Sequence, residues 1–172
     1  MISKRFFGEV FYNKSYGPVQ RRGQMGVVID LGACTGEFSL WVYPQAVRIC
    51  AIESDREAYK HLKENLKQFD KVDFYCLAIA GENGKVGMSG GSIGAKSIVH
   101  NVTENPYAIV KAKTLATFMK DEGIDQVDCL KADVESAEKE IFAAEDFAEV
   151  AGRIKFIIGE HLEPSKKDLE KL

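Results

Sequence analysis

The sequence predicts an α/β fold in which a doubly wound, mostly parallel sheet carries helices on both faces. Three observations carry that expectation. Short apolar runs alternate along the chain with stretches of helical periodicity, the order that a parallel sheet with crossover helices demands. The first two apolar runs each end in an acidic residue, Asp30 and Glu53. The first is followed at once by a turn punctuated by Gly32 and Gly36. Such a turn at the carboxyl end of a first strand is where parallel folds present a nucleoside-bearing ligand.

The elements follow in order. Residues 1–24 hold Phe6, Phe7, Phe11, Tyr12 and Tyr16 with turn signals at Gly17-Pro18 and Gly23, and read as an arm packed on the sheet. Strand one spans 26–31. A helix follows over 37–43 and is stopped by Pro44, which cannot continue it. Strand two spans 47–52. Ser54 with Glu57 three residues on reads as a capping box. The helix it starts runs to Phe69, with Ala58, Leu62, Leu66 and Phe69 at helical spacing. Strand three spans 72–80, and the turn at 81–84 leads to a short extra strand over 85–88.

Residues 90–105 are rich in Gly, Ser and Asn and are too long for an ordinary connection, so they read as a mobile loop. A strand over 108–113 and a helix over 115–122, ended by Gly123, come next. Strand four spans 127–134, a helix 137–144, and strand five 154–159. Ser165 then looks like the cap of a further helix start. The 172 residues are expected to form one domain. Strand five would be an apolar edge, which invites pairing with a second copy.

Composition narrows the function classes. Apolar content is 45% and charged content 28%, ordinary for a soluble chain. A net charge of −3 and a pI near 5.7 argue against a nucleic-acid surface. No apolar run approaches the ~20 residues of a membrane span, and no signal peptide is evident. Cys34, Cys50, Cys76 and Cys129 show neither C-x-x-C nor paired histidine spacing, so no metal site is expected. They read as reduced thiols, which fits a cytoplasmic location.

The glycine spacing bears on the ligand. A nicotinamide fingerprint reads G-x-G-x-x-G, because backbone must close on a pyrophosphate. Here the pattern is Asp30-x-Gly32-x-x-x-Gly36, with Cys34 where the middle glycine would stand. A side chain there is tolerable when no pyrophosphate approaches. S-adenosyl-L-methionine has none, and Asp30 suits its ammonium group better than a phosphate. The turn residues Gly32, Ala33 and Gly36 would let backbone approach the methionine part. Glu53 would accept both ribose hydroxyls. Ala78 and Ile79 fit an adenine slot and fit a plain buried strand equally well.

Strand four ends in Asp133 and Glu135. Lys131 and Asp133 share one strand face, and Leu130, Ala132 and Val134 the other. Two charges in a buried strand imply at least an ion pair. Asp133, Glu135 and His161 are the candidates for a general base, and Glu138 reads as a helix-surface acid.

With these residues in place, the chain resembles the FkbM type of S-adenosylmethionine-dependent methyltransferase. Residues 30–40, DLGACTGEFSL, are similar to that family's Asp-x-Gly-Ala-x-x-Gly-x-Phe-Ser. Residues 127–142, VDCLKADVESAEKEIF, are similar to its Leu-Lys-x-Asp-x-Glu-Gly-x-Glu, and the strand ending in Glu53 and residues 110–124 complete the match. Ser136 stands where glycine is usual, Ser54 where proline often follows the acid, and Ala116 where aspartate is common. The resemblance implies a Rossmann-like methyltransferase fold, here without its C-terminal hairpin. It also implies O-methylation of a hydroxyl on a small molecule or sugar. The alternative is a non-catalytic or shortened cofactor-binding module that acts with a partner.

Overall fold

The computed structural model describes residues 23–88, 98–99, 108–134 and 137–159. Its central sheet has five strands: β1 (Met25–Leu31), β2 (Ala46–Ile52), β3 (Val72–Tyr75), β8 (Cys129–Ala132) and β9 (Ile157–Ile158). The order is β3-β2-β1-β8-β9, and every pairing is parallel. β1 and β8 are nearly inaccessible along most of their length, as a sheet covered on both faces requires. From β1 the chain builds outward through β2 to β3, then returns to place β8 against the other side of β1. The strand order therefore reverses between β1 and β8, the position where open parallel sheets bind ligands. In that register Asp30 lies beside Lys131.

Two apolar layers sandwich the sheet. On one face, helices α1 (Glu37–Val42) and α2 (Arg56–Leu66) bring Phe38, Val42, Leu62 and Leu66 onto Val28, Ile49, Ala51 and Cys129. On the other, α3 (Leu115–Asp121), α4 (Glu138–Ala143) and α5 (Ala148–Ala151) bring Leu115, Phe118, Ile141 and Val150 onto Ile29, Leu31, Leu130 and Ala132. The period-2 alternation of strand side chains assigns each residue to its layer. Helices cover both faces, as the sequence predicts.

Several expectations need correction. Residues 72–80 are not one strand. β3 stays in the central sheet, whereas β4 (Ala78–Ile79) leaves it and pairs in parallel with β7 (Ala108–Lys113). β7 also pairs antiparallel with β5 (Gly84–Met88), which pairs with β6 (Ile98–Val99), giving a second sheet of order β4-β7-β5-β6. Ala78, Ala80, Val86, Met88, Val110 and Ala112 form its own small core. An apolar run shows that a strand is buried, not which neighbour it pairs with.

Strand four is shorter than 127–134. Beyond β8 the amide of Val134 donates to the Glu138 carboxylate at 2.9 Å instead of to a strand, and the ladder ends. Strand five contracts to β9, with one bridge between Val127 and Ile154 upstream. β9 is the last strand of the sheet among the described residues, and Ile157 is exposed. The short α5 has no counterpart in the sequence reading. The expected loop over 90–105 lies outside the described residues except for β6. The arm over 1–22, Ser136 and the helix start at Ser165 also lie outside them. Among the described residues no helix is long and apolar enough to cross a membrane.

The cap of α2 is Asp55, not Ser54. The Asp55 side chain accepts from the Glu57 amide at 3.1 Å, while its own amide donates to Glu53. That second bond sets the helix start one residue later than the sequence signal. Asp55→Ala is therefore expected to cost about 1 kcal/mol of stability in denaturant titrations. Ser54→Ala should stay within about 0.5 kcal/mol of wild type, as a surface change away from a cap does. Equal losses at the two positions would contradict the observed cap.

Candidate functional site

The turn after β1 is held in an unusual shape. Gly32 has φ +69°, Cys34 +49° and Gly36 +101°, all in the left-handed region. A Cβ at Gly32 would lie 1.9 Å from the Asp133 carbonyl oxygen, so only glycine lets β8 approach β1 here. A Cβ at Gly36 would meet Leu62 and Leu66 of α2, so this glycine serves helix packing. The turn is pinned peptide by peptide. Ala33 N donates to Ile52 O at 3.0 Å and Gly36 N to Ala33 O at 2.8 Å. The Asn65 side chain donates to Thr35 O at 2.8 Å.

Glu53, at the end of β2, closes the turn from the side. Its Oε2 accepts from Cys34 N at 2.8 Å and its Oε1 from Asp55 N at 2.7 Å. One carboxylate thus ties the glycine turn to the start of α2, and each oxygen keeps a free lone-pair direction. Glu53 is buried, and burial holds its carboxyl above the ordinary value. Burial, with Glu37 and Glu53 adding to it, pushes the Cys34 thiol up to about 12. That thiol stays protonated at neutral pH.

Under the turn lies a charged group of three. Asp30 is fully buried and accepts from the Ser39 hydroxyl at 2.7 Å. Lys131 places its Nζ 3.2 Å from Asp30 Oδ1 and 3.6 Å from Asp133 Oδ2. The same Nζ donates to the carbonyls of Gly32 at 2.8 Å and Leu31 at 3.3 Å. Asp133 is the accessible member, with its side chain 31% exposed, against 5% for Lys131. The expected Lys131–Asp133 pair is present, but the nearer carboxylate belongs to Asp30, which the neighbouring strand supplies.

The structure brings Asp30, Gly32, Ala33, Gly36, Glu53 and Asp133 together at the carboxyl ends of β1, β2 and β8. Ala33 is buried in the α1–α2 layer. Ala78 and Ile79 lie on β4 and are nearly inaccessible, Ala78 in the second sheet's core and Ile79 in the main one. Glu135 and His161 lie outside the described residues. Glu138 is not a surface acid: it is buried and holds the Val134 amide, which fixes the chain just after Asp133.

Ser39 and Asn65 escaped the sequence reading. A polar residue recurring among apolar positions on α1 was the available signal for Ser39. Asn65 carried none. A groove of about 450 Å³ elsewhere runs between α3 and α5, lined by Met119, Lys120, Asp125, Glu149 and Arg153 among others. None of the predicted site residues borders it. Its charged walls already serve the fold, as when Arg153 donates to the carbonyls of Ile124 and Asp125.

Comparison with known proteins gives this geometry a family context. The model of the methyltransferase FkbM domain matches residues 30–170. Among solved structures, a methyltransferase FkbM from Methylobacillus flagellatus KT is similar with a TM-score of 0.53 at 17% identity. The match covers 78% of this chain and 32% of that one, so the chain spans under half the length of that relative. A precorrin 8w decarboxylase from Methanobacterium thermoautotrophicum is similar with a TM-score of 0.51 at 14% identity, covering 99% of this chain and 70% of that one. At these identities the likeness shows the fold alone. No curated protein matches the sequence.

The buried Glu53 carboxyl carries a pH signature. Its folded-state pKa stands above the ordinary 4.5, chiefly through burial and against the lowering effect of the Asp55 and Cys34 amides. Folding then takes up a proton in the interval between the two values. The group's contribution is full below 4.5 and is lost as pH rises through the raised value. Glu53→Gln has no proton to exchange. Wild-type stability relative to this variant should decline as pH rises above 4.5 in urea titrations. A difference that is flat with pH would refute the perturbed carboxyl.

Proposed function

The chain belongs to the methyltransferase FkbM domain family, and we propose that it transfers the methyl group of S-adenosyl-L-methionine to a hydroxyl on a small molecule or sugar. The observation that carries this reading is the meeting of the pinned glycine turn, the Glu53 carboxylate and Asp133 at the point where the strand order reverses. The donor set suits that ligand. Among the described residues, Asp30, Glu53 and Asp133 supply three carboxylates near the ammonium of Lys131, a donor set richer in acid than in base, which favours a cation. Cys34 carries a side chain at the position where a pyrophosphate would need bare backbone.

Glu53 would hold the ribose hydroxyls through its remaining lone pairs, and the backbone of residues 32–36 would face the methionine part. Ala78 and Ile79 remain the candidates for an adenine slot. When bound, the group supplies an already electrophilic methyl carbon, so the protein's task is alignment and exclusion of water. Asp133 is the accessible carboxylate beside this position and would accept the hydroxyl proton as the methyl–oxygen bond forms. Lys131 Nζ stands 3.6 Å from its carboxylate. Glu135 and His161 are the other candidates for that step. Cysteines that form no disulfide among the described residues fit a cytoplasmic setting.

Isothermal calorimetry with S-adenosylhomocysteine tests the reading before any substrate is known. Saturable binding to the full chain is expected, and its absence would overturn the proposal. Glu53→Ala should weaken that binding by about 2–3 kcal/mol, the usual worth of hydrogen bonds to a charged group. A variant that binds within about twofold of wild type, some 0.4 kcal/mol, would remove Glu53 from the ligand's contacts.

A further inference from the structure

Resting on that reading, we infer that Lys131 is a positioning residue for the donor: its buried ammonium selects the one conformation of the glycine turn that the ligand would meet. A lysine buried only to neutralise a carboxylate would make its best contact with that carboxylate. Lys131 does not. Its Nζ lies closer to the Gly32 carbonyl, at 2.8 Å, than to Asp30 Oδ1, at 3.2 Å, and also takes the Leu31 carbonyl. The peptide joining Gly32 to Ala33 is therefore held at both ends, its carbonyl by Lys131 and its N–H by Ile52 O.

Gly32 is the place where such a hold matters. Glycine populates both signs of φ at similar cost, so the residue that allows the turn also allows it to rearrange. Rotation of this one peptide would break both bonds and turn the carbonyl away from the ammonium. An ammonium in a buried setting penalises that loss heavily, because little water can replace the carbonyl. The same charge reaches the accessible Asp133 at 3.6 Å. Lys131 thus orders the floor of the ligand site and the proposed proton acceptor together. It needs no contact with the ligand.

Three variants of the full chain separate positioning from simple charge balance. Lys131→Met leaves Asp30 as a buried, unpaired charge and is expected to lower the melting temperature sharply. Asp30→Asn with Lys131→Met removes both charges and should recover most of that loss. If Lys131 only balances Asp30, amide exchange over residues 32–36 in the double variant matches wild type. If it positions the turn, the double variant stays about tenfold or more weaker for S-adenosylhomocysteine by calorimetry, the cost of losing a charge-assisted hydrogen bond. Amide hydrogen exchange over residues 32–36 should then be faster than in wild type, with the sheet unchanged.

Double-variant affinity within about twofold of wild type overturns the proposal. So does unchanged exchange in the turn. Should wild type fail to bind the probe, the proposed function fails, while the exchange measurement still decides the role of Lys131. Should neither methionine variant fold, Lys131→Arg takes their place. It keeps the charge but replaces the compact ammonium with a planar fork. Faster turn exchange in the folded arginine variant supports the inference, and wild-type exchange overturns it.

Discussion

The arrangement at the carboxyl ends of the strands depends on one buried charge, the ammonium of Lys131 between β1 and β8. Parallel strands buried on both faces leave almost no water to solvate an ion. The lysine is therefore admissible only because Asp30 stands beside it in register and two β1-end carbonyls accept its protons. Such a pair adds little net stability compared with apolar residues of the same shape. Breaking it is another matter, since removal of one partner strands the other and costs about 3–5 kcal/mol. The pair is better understood as a register lock. Slipping β8 by one residue against β1 would bring Leu130 or Ala132 to Asp30 and turn Lys131 toward the opposite apolar layer.

That lock fixes the geometry from which the rest follows. β8 comes close enough to β1 that its Asp133 carbonyl fills the space where a Gly32 side chain would stand. With β8 in that position, Asp133 emerges beside the turn, and the Glu138 carboxylate takes the next free amide so that the chain leaves the sheet at a defined point. From the other side β2 delivers Glu53, whose two oxygens bridge the turn and the first residues of α2. Three strands and two helices thus converge on five residues of turn. Each tie is a hydrogen bond that a buried polar backbone group would otherwise lack.

Much of this was legible in the sequence. An apolar run that stops at an acid and opens into glycines has few physical solutions, so Asp30, Gly32, Gly36 and Glu53 could be placed at strand ends from spacing alone. Leu130 and Ala132 against Lys131 and Asp133 fell on opposite faces by the period of two, and they do so in the structure. The failures share one cause: periodicity reports burial but not partners. It marked residues 72–80 as buried without showing that β4 changes sheets to join β7. It gave Lys131 an acid on its own strand and missed the nearer one across the ladder. Glu138 looked like a solvated helix acid, because nothing local says that the amide of Val134 lacks a strand partner.

Cys34 shows how such a turn can bear a cost and what that cost implies. A side chain in the left-handed region is unfavourable by about 1–2 kcal/mol, and glycine at this position would avoid it. The strain persists because the surroundings over-determine the backbone: Glu53 holds the Cys34 amide, Asn65 the next carbonyl, and α2 packs against Gly36. Glycine in the middle of such turns serves a ligand whose charged oxygens must touch bare backbone. Here the backbone amide of Cys34 is already spent on a carboxylate, and the cluster beneath is acidic. Phosphate oxygens would meet neither a free amide at Cys34 nor a positive field. A cationic ligand without phosphates meets the opposite conditions, with carboxylate oxygens held in place before it arrives.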